Sequence, residues 1–378
     1  MRDRRPGDAL AEALSTRRIL VVCGSGGVGK TTTAAALALQ AALLGRRTLV
    51  CTIDPSRRLA TSLGLSQLST RPRRLDIARF RPAEGGGAWA MTLDTRSTFD
   101  ALIARHAPDE ASRQRILGNT FYQQVSSALA GSHEYMAMEK LLELSADERF
   151  DLVILDTPPT RHALDFLEAP ERMLSFLDTS ILRYFLKPYF VAGRLTLKVV
   201  TRTGAMAMKL VDRYLGLQFL QDLSEFFLAF EGMYDGFKER AARVHELLRS
   251  PASGFVLVAS PARPALDEAL FFYRRLREKR MPFVSFVVNR LHPDPGTLGA
   301  RAPGRASPTQ VEPELARRLL EIYKDQRTLA RFERRSVASL EVDTREPLIL
   351  VPELEVDVHD LRGLAEVGGS MLPRKAPA

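Results

Sequence analysis

Cysteine is almost missing from this chain: Cys23 and Cys51 are the only two among 378 residues, and they form no CxxC pair. That scarcity excludes a disulfide framework, a zinc ribbon and a cluster-binding cysteine set, and leaves two small thiols expected in buried strands of a reduced protein. No uncharged apolar run approaches the roughly 20 residues that span a bilayer. The opening "MRDRRPGDALAEALSTRR" is too polar for a signal peptide, so a soluble, cytoplasmic protein is expected. Acidic residues are in deficit, 45 against 54 basic ones, a balance of +9 that would suit an acidic partner. Arginine is nevertheless scattered, with only Arg71 to Arg74 locally dense. The tail "GGSMLPRKAPA" offers neither an amphipathic helix nor a strong basic patch. No nucleic-acid partner is expected, and peripheral membrane association is not indicated. No internal repeat is present.

What the chain does have is a series of short apolar runs: Ile19 to Cys23, Thr48 to Ile53, Trp89 to Leu93, Leu152 to Leu155, Phe255 to Ala259, Phe283 to Val288 and Leu348 to Val351. Most are apolar throughout, the pattern of strands buried on both faces. With helical patterns between them they predict a doubly wound α/β fold, a mostly parallel sheet of about seven or eight strands. The gaps after the third and fourth runs are too long for loops. Residues 95–150 and 164–250 therefore read as helical insertions within a single domain spanning 1–378. The Phe/Leu/Met pattern from Met206 to Phe237 suits either ordinary core or an adaptable client groove. Residues 292–310, rich in Pro, Gly and Ser, read as a flexible loop.

The first run leads into "GSGGVGKT", Gly24 to Thr31, which satisfies G-x-x-x-x-G-K-[ST] between a strand and a helix pattern. Glycines there let consecutive amides turn inward around phosphate oxygens, and the helix start adds its positive dipole end. Gly26, Gly27, Val28, Gly29, Lys30, Thr31 and Thr32 are the candidate phosphate contacts. Lys30 is placed to reach the terminal phosphates, and the Thr31 hydroxyl to ligate Mg²⁺. "FDLVILDTPP" puts Asp156 at the carboxyl end of another apolar strand, either in the magnesium shell or as a simple helix cap. "TIDPSRRLATSLGL" puts Asp54 at a third strand end, either positioning an attacking water or making an Asp-Pro turn.

Together these segments resemble the ArsA-type anion-transporting ATPase family, which includes arsenite-pump ATPases and eukaryotic ATPases that target tail-anchored membrane proteins. "GGVGKTT" resembles its phosphate loop, "DPSRRLATSLG" its first switch, "DTPPTRHALDFLEAP" its second, "GSHEYMAMEKLLEL" the segment between them, and "LILVPELEVDVHDLRGL" its adenine loop and last helix. "VVNRL" resembles the strand end carrying the adenine-binding asparagine, here Asn289. The resemblance implies an Mg²⁺-dependent ATP hydrolase acting as a dimer, with a nucleotide-driven helical layer that binds a client. Carried onto this sequence, Lys30, Asp54 and Asp156 are the catalytic candidates, and Thr31, Asp54 and Asp156 the metal candidates. Asn289 would contact adenine. No guanine-reading Asn-Lys-x-Asp follows that strand, so ATP is expected over GTP.

Three departures qualify the resemblance. The family's loop usually carries a second lysine where Ser25 stands, and a hydroxyl cannot supply its positive charge. Turnover is then slow, or borrows Arg57 or Arg58, or depends on a paralogue that retains the lysine, unless Ser25 merely makes a turn hydrogen bond. The partner is accordingly a second copy or a paralogous ATPase, and a low-turnover nucleotide-binding scaffold is the alternative function. Clustered thiolates for a soft metalloid are absent, which argues against arsenite efflux. The dimer-interface CxxC of the eukaryotic members is absent too, so neither zinc nor an iron-sulfur cluster is expected.

Overall fold

The computed structural model describes residues 7–53, 57–125, 132–157, 226, 233–298, 312–346 and 348–373. Asp54, most of the second switch-like segment, residues 164–225 of the second insertion and residues 299–311 lie outside them. In chain order the elements are α1 (Asp8–Thr16), β1 (Ile19–Cys23), α2 (Lys30–Leu43), β2 (Arg47–Thr52), α3 (Arg58–Ser62), β3 (Arg73–Arg74), β4 (Gly87–Thr92), α4 (Thr95–His106), α5 (Glu110–Gly118), α6 (Thr120–Val125), α7 (Ser132–Ser145) and β5 (Leu152–Asp156). They continue with α8 (Tyr234–Arg249), β6 (Ser253–Ala259), α9 (Arg263–Glu278), β7 (Phe283–Leu291), α10 (Pro295–Leu298), α11 (Pro313–Thr344), β8 (Leu348–Pro352) and α12 (Leu361–Met371).

Two compact units emerge, residues 1–92, 144–163 and 247–378 forming one, and 93–143 with 164–246 the other. The first holds one eight-stranded sheet in the order β3-β4-β2-β5-β1-β6-β7-β8. Every pairing is parallel except β3 with β4. The seven apolar runs all became strands. The eighth strand, β3, is two arginines long and has no apolar signal; Arg74 lies over the Trp89 ring, 5.7 Å from its centroid. β1, β5 and β6 are buried along their whole length, as continuous apolar strands require.

The chain leaves β1 toward β2 and β4 on one side and returns through β5 before building β6, β7 and β8 on the other. The crevice where the direction of winding reverses, outside the carboxyl ends of β1 and β5, is the usual ligand position of such sheets. α2 is alanine-rich and buried on nearly every face, which lets it lie close to the sheet under α12. At the opposite edge, guanidinium groups close the strand starts. Arg18 donates to the carbonyls of Phe150 (2.8 Å) and Asp147 (3.0 Å), and Arg46 to those of Leu14 (2.8 Å), Arg17 and Asp151.

The second unit is helical among its described residues. Phe99, Tyr122, Tyr135, Phe226 and Phe237 are buried, with ring centroids 5.4 to 6.4 Å apart. Glu139, 2% exposed, accepts from the Tyr135 hydroxyl at 2.6 Å and from Arg240 Nε at 2.7 Å, which satisfies a charge otherwise too costly to bury. Within the Met206 to Phe237 stretch, the described Phe226, Met233 and Phe237 are core residues; the remaining Phe, Leu and Met positions lie outside the described residues.

Candidate functional site

The glycine turn after β1 is shaped by its surroundings. Gly24 has φ 151°, and a Cβ there would lie 2.0 Å from the Val258 carbonyl oxygen on β6. Gly29 has φ 94°, and a Cβ there would lie 2.2 Å from Asn289 Nδ2 on β7. Neither position admits a side chain without displacing backbone or the asparagine. The loop is thus pressed against two strands that lie far away in sequence.

Helix α2 begins at Lys30 directly after Gly29 and has no side-chain cap. α1, α3, α9 and α11 lack a side-chain cap too, whereas α4, α5 and α12 have Asp94, Asp109 and Asp360 accepting the amides of Arg96, Ser112 and Gly363. A 14-residue helix that starts in the left-handed turn of a glycine loop, with no carboxylate of its own at the N-terminus, presents its first amides and its dipole to an incoming anion.

Lys30 is 6% exposed and its ammonium donates to the Ser25 carbonyl at 2.7 Å, bridging the loop. Burial pulls its pKa below the usual lysine value, and the nearby Asp156 carboxylate opposes that shift. Asp156 is fully buried; it pairs in register with both Val22 and Thr52 and accepts from the Thr52 hydroxyl at 2.8 Å. The Thr157 hydroxyl donates to the Val22 carbonyl at 2.9 Å, which fastens the end of β5 to β1. Cys23, beside these groups, is buried and its thiol is pushed up to about 12, mainly by desolvation, so it is an inert core residue at this edge.

A cleft of about 810 Å³ opens over this arrangement. Gly27, Gly29, Lys30, Thr31 and Thr32 line it, with Arg57, Arg58, Thr61 and Ser62. Residues of the loop from Pro352 to His359 between β8 and α12 line it too, as do Asn289 and Arg290. Asn289 Nδ2 donates to the Val28 carbonyl at 2.9 Å.

The structure therefore brings Gly27, Gly29, Lys30, Thr31, Thr32 and Asn289 to one cleft, with Asp156 buried at the strand end near Lys30; of the other predicted residues, Gly26 does not line the cleft, Val28 is buried in the core, and Asp54 lies outside the described residues. Sequence reasoning overlooked Thr52 and Thr157, hydroxyls at strand ends that hold Asp156 and β5, and Arg290, which follows the singled-out asparagine. A threonine ending an otherwise apolar strand beside a carboxylate-ended strand was the available signal.

Comparison with known proteins adds to this geometry. The family model described as anion-transporting ATPase matches residues 17–327. The chain is 27% identical over 299 residues to the ATPase GET3C of Arabidopsis thaliana, covering 74% of this chain and 68% of that protein. It is 30% identical over 156 residues to the ATPase get3 of Aspergillus terreus, covering 41% of this chain and 44% of the relative. To a putative arsenical pump-driving ATPase of Halobacterium salinarum it is 32% identical over 180 residues, 45% of this chain and 27% of the relative. The matched part thus spans about two thirds of the first relative and less than half of the other two.

Proposed function

This chain belongs to the anion-transporting ATPase family, and on that premise we propose that the cleft binds Mg·ATP and hydrolyses it, the cycle driving a helical unit that holds a client. The observation carrying this reading is the uncapped start of α2 with a buried lysine above a buried aspartate. The amides of Lys30 to Thr32 would bind phosphate oxygens. The Lys30 ammonium would exchange the neutral Ser25 carbonyl for a charged terminal phosphate, a stronger acceptor. Hydroxyl and carboxylate oxygens are hard donors, so Thr31 and Asp156, with Asp54, fit Mg²⁺ and would hold it. Bound there, the ion would neutralise charge on the phosphates. Asp54 would orient the attacking water.

Asn289 favours adenine. Because its Nδ2 is directed at the Val28 carbonyl, its Oδ1 is the atom left to accept from the base. The exocyclic amine of adenine donates to that oxygen, whereas the corresponding oxygen of guanine would repel it. In this reading the protein works as a dimer with a second copy or a paralogue. Steady-state phosphate release with Mg·ATP and Mg·GTP tests the reading: hydrolysis selective for ATP is expected, and absence of any Mg·ATP binding overturns it. A second reading, the low-turnover scaffold, draws support from Ser25. Its hydroxyl is buried and has no hydrogen-bond partner among the described residues, and it brings no charge to the loop. Turnover that appears only on mixing with a lysine-bearing paralogue would favour the scaffold.

A further inference from the structure

Neighbouring residues of a regular strand point to opposite faces, so Asn289 and Arg290 should not share a target. Here they do. The pairing of β7 with β8 shifts register between Val288 and Leu291, and inside that irregularity Arg290 adopts φ 62°. The other described non-glycine residues with positive φ, Arg81, Arg280 and Arg345, fall after helical segments. Arg290 alone of these four sits within a strand, in a conformation that costs a side chain with a Cβ. The result is that Asn289 reaches the Val28 carbonyl and Arg290 Nη1 the Gly27 carbonyl, at 3.4 Å, so consecutive residues address consecutive carbonyls of the glycine loop. Arg290 also lines the cleft, as does the loop after β8, which brings Pro352, Leu354, Val356 and Val358 to it together with Glu353, Asp357 and His359.

We infer that Arg290 is a base-covering residue: its guanidinium plane and stem form one wall of a slot, the apolar residues of the loop after β8, Leu354, Val356 and Val358, form the other, and a purine base slides between them. This rests on the Mg·ATP reading and adds to it how affinity for the nucleoside arises. A guanidinium is planar and weakly hydrated, and it stacks on aromatic rings, so it covers a base while its edge still donates to Gly27. A role at the phosphates is the competing use of such a cation. Against it, the phosphate loop already has a buried cation of its own, Lys30 at the start of the helix, whereas Arg290 is exposed and stands directly beside Asn289. Coverage of the ring is independent of the hydrogen-bonding pattern at its edge, so Arg290 raises affinity for any purine nucleotide, while Asn289 chooses between them.

The test compares ligands with and without a base. Calorimetric Kd values are measured for Mg·ATP, Mg·ADP and Mg·tripolyphosphate on the full chain and on Arg290→Ala, Arg290→Lys and Arg290→Gly. Arg290→Ala is expected to bind both nucleotides about ten-fold or more weakly and tripolyphosphate about as before, with Arg290→Lys intermediate. Arg290→Gly removes the side chain and relieves the positive φ, so it keeps the comparison available if the alanine variant folds poorly. Unchanged nucleotide binding, or an equal loss for tripolyphosphate, overturns the proposal while leaving the ATP reading standing. Failure of the unaltered chain to bind Mg·ATP removes the ATP reading instead.

Discussion

The two edges of the one sheet use opposite chemistry. At the amino edge, guanidinium groups of Arg18 and Arg46 donate to backbone carbonyls of the segments that lead into the strands, and every donor so engaged is used up inside the protein. At the carboxyl edge, the backbone supplies donors instead, through a glycine loop and an uncapped helix start, and these face a cleft. The same strands carry both edges. The difference teaches that a parallel sheet is anchored where side chains satisfy its backbone and reactive where its backbone is left to satisfy something else.

The sharpest way to break that contrast is to remove charge from the carboxyl edge. Lys30→Ala and Asp156→Asn are each expected to lower kcat/KM for ATP by at least about a hundred-fold in steady-state assays. Thermal melting of the same samples separates this from unfolding. Next comes the shape of the loop: Gly29→Ala places a Cβ 2.2 Å from Asn289 Nδ2 at φ 94°. The expected cost is about ten- to a hundred-fold in Mg·ATP affinity. Adding Asn289→Ala should recover only part of it, since the backbone strain remains.

The amino edge should answer in a different currency. Arg18→Ala strands the carbonyls of Ser145, Asp147 and Phe150 and is expected to lower stability by about 2 kcal/mol in urea unfolding, with nucleotide Kd unchanged in the folded protein. A fall in ATP affinity without a fall in stability would erase the distinction between the edges. The smallest expected effect is on pH. Burial lowers the Lys30 pKa in the free protein, and a bound triphosphate would raise it again, so binding is coupled to proton retention. Affinity should therefore be full below the free-protein value and decline as pH rises through it, by no more than about ten-fold per pH unit. Lys30→Arg, charged throughout, should flatten that decline.

Much of this was legible in the residues. The continuous apolar runs marked seven strands because burial on both faces leaves no room for alternation, and G-x-x-x-x-G-K-[ST] marked the turn because few residues tolerate its dihedral angles. β3 was not legible, since two exposed arginines give no apolar run and their contact with β4, Arg74 over Trp89, joins segments separated in sequence. Nor was Arg290: a bulge depends on how β7 and β8 fall out of step, which no residue type announces. The strand order was equally hidden, because parallel neighbours are chosen by packing between distant segments. Asn289 was picked out by resemblance, and its bond to the Val28 carbonyl gives a physical reason for an amide at that position.

The place of β5 sets an order of events during synthesis. β1 and β2 are made early but never touch; the strand that joins them, and that carries Asp156, arrives only after about a hundred further residues, and β6, on the other flank of β1, about a hundred after that. β5 brings the carboxylate to the glycine turn, β6 then brings Val258 against it, and β7, later still, brings Asn289. The parts that shape the loop are therefore gathered in steps and late, from strands made long after the loop itself.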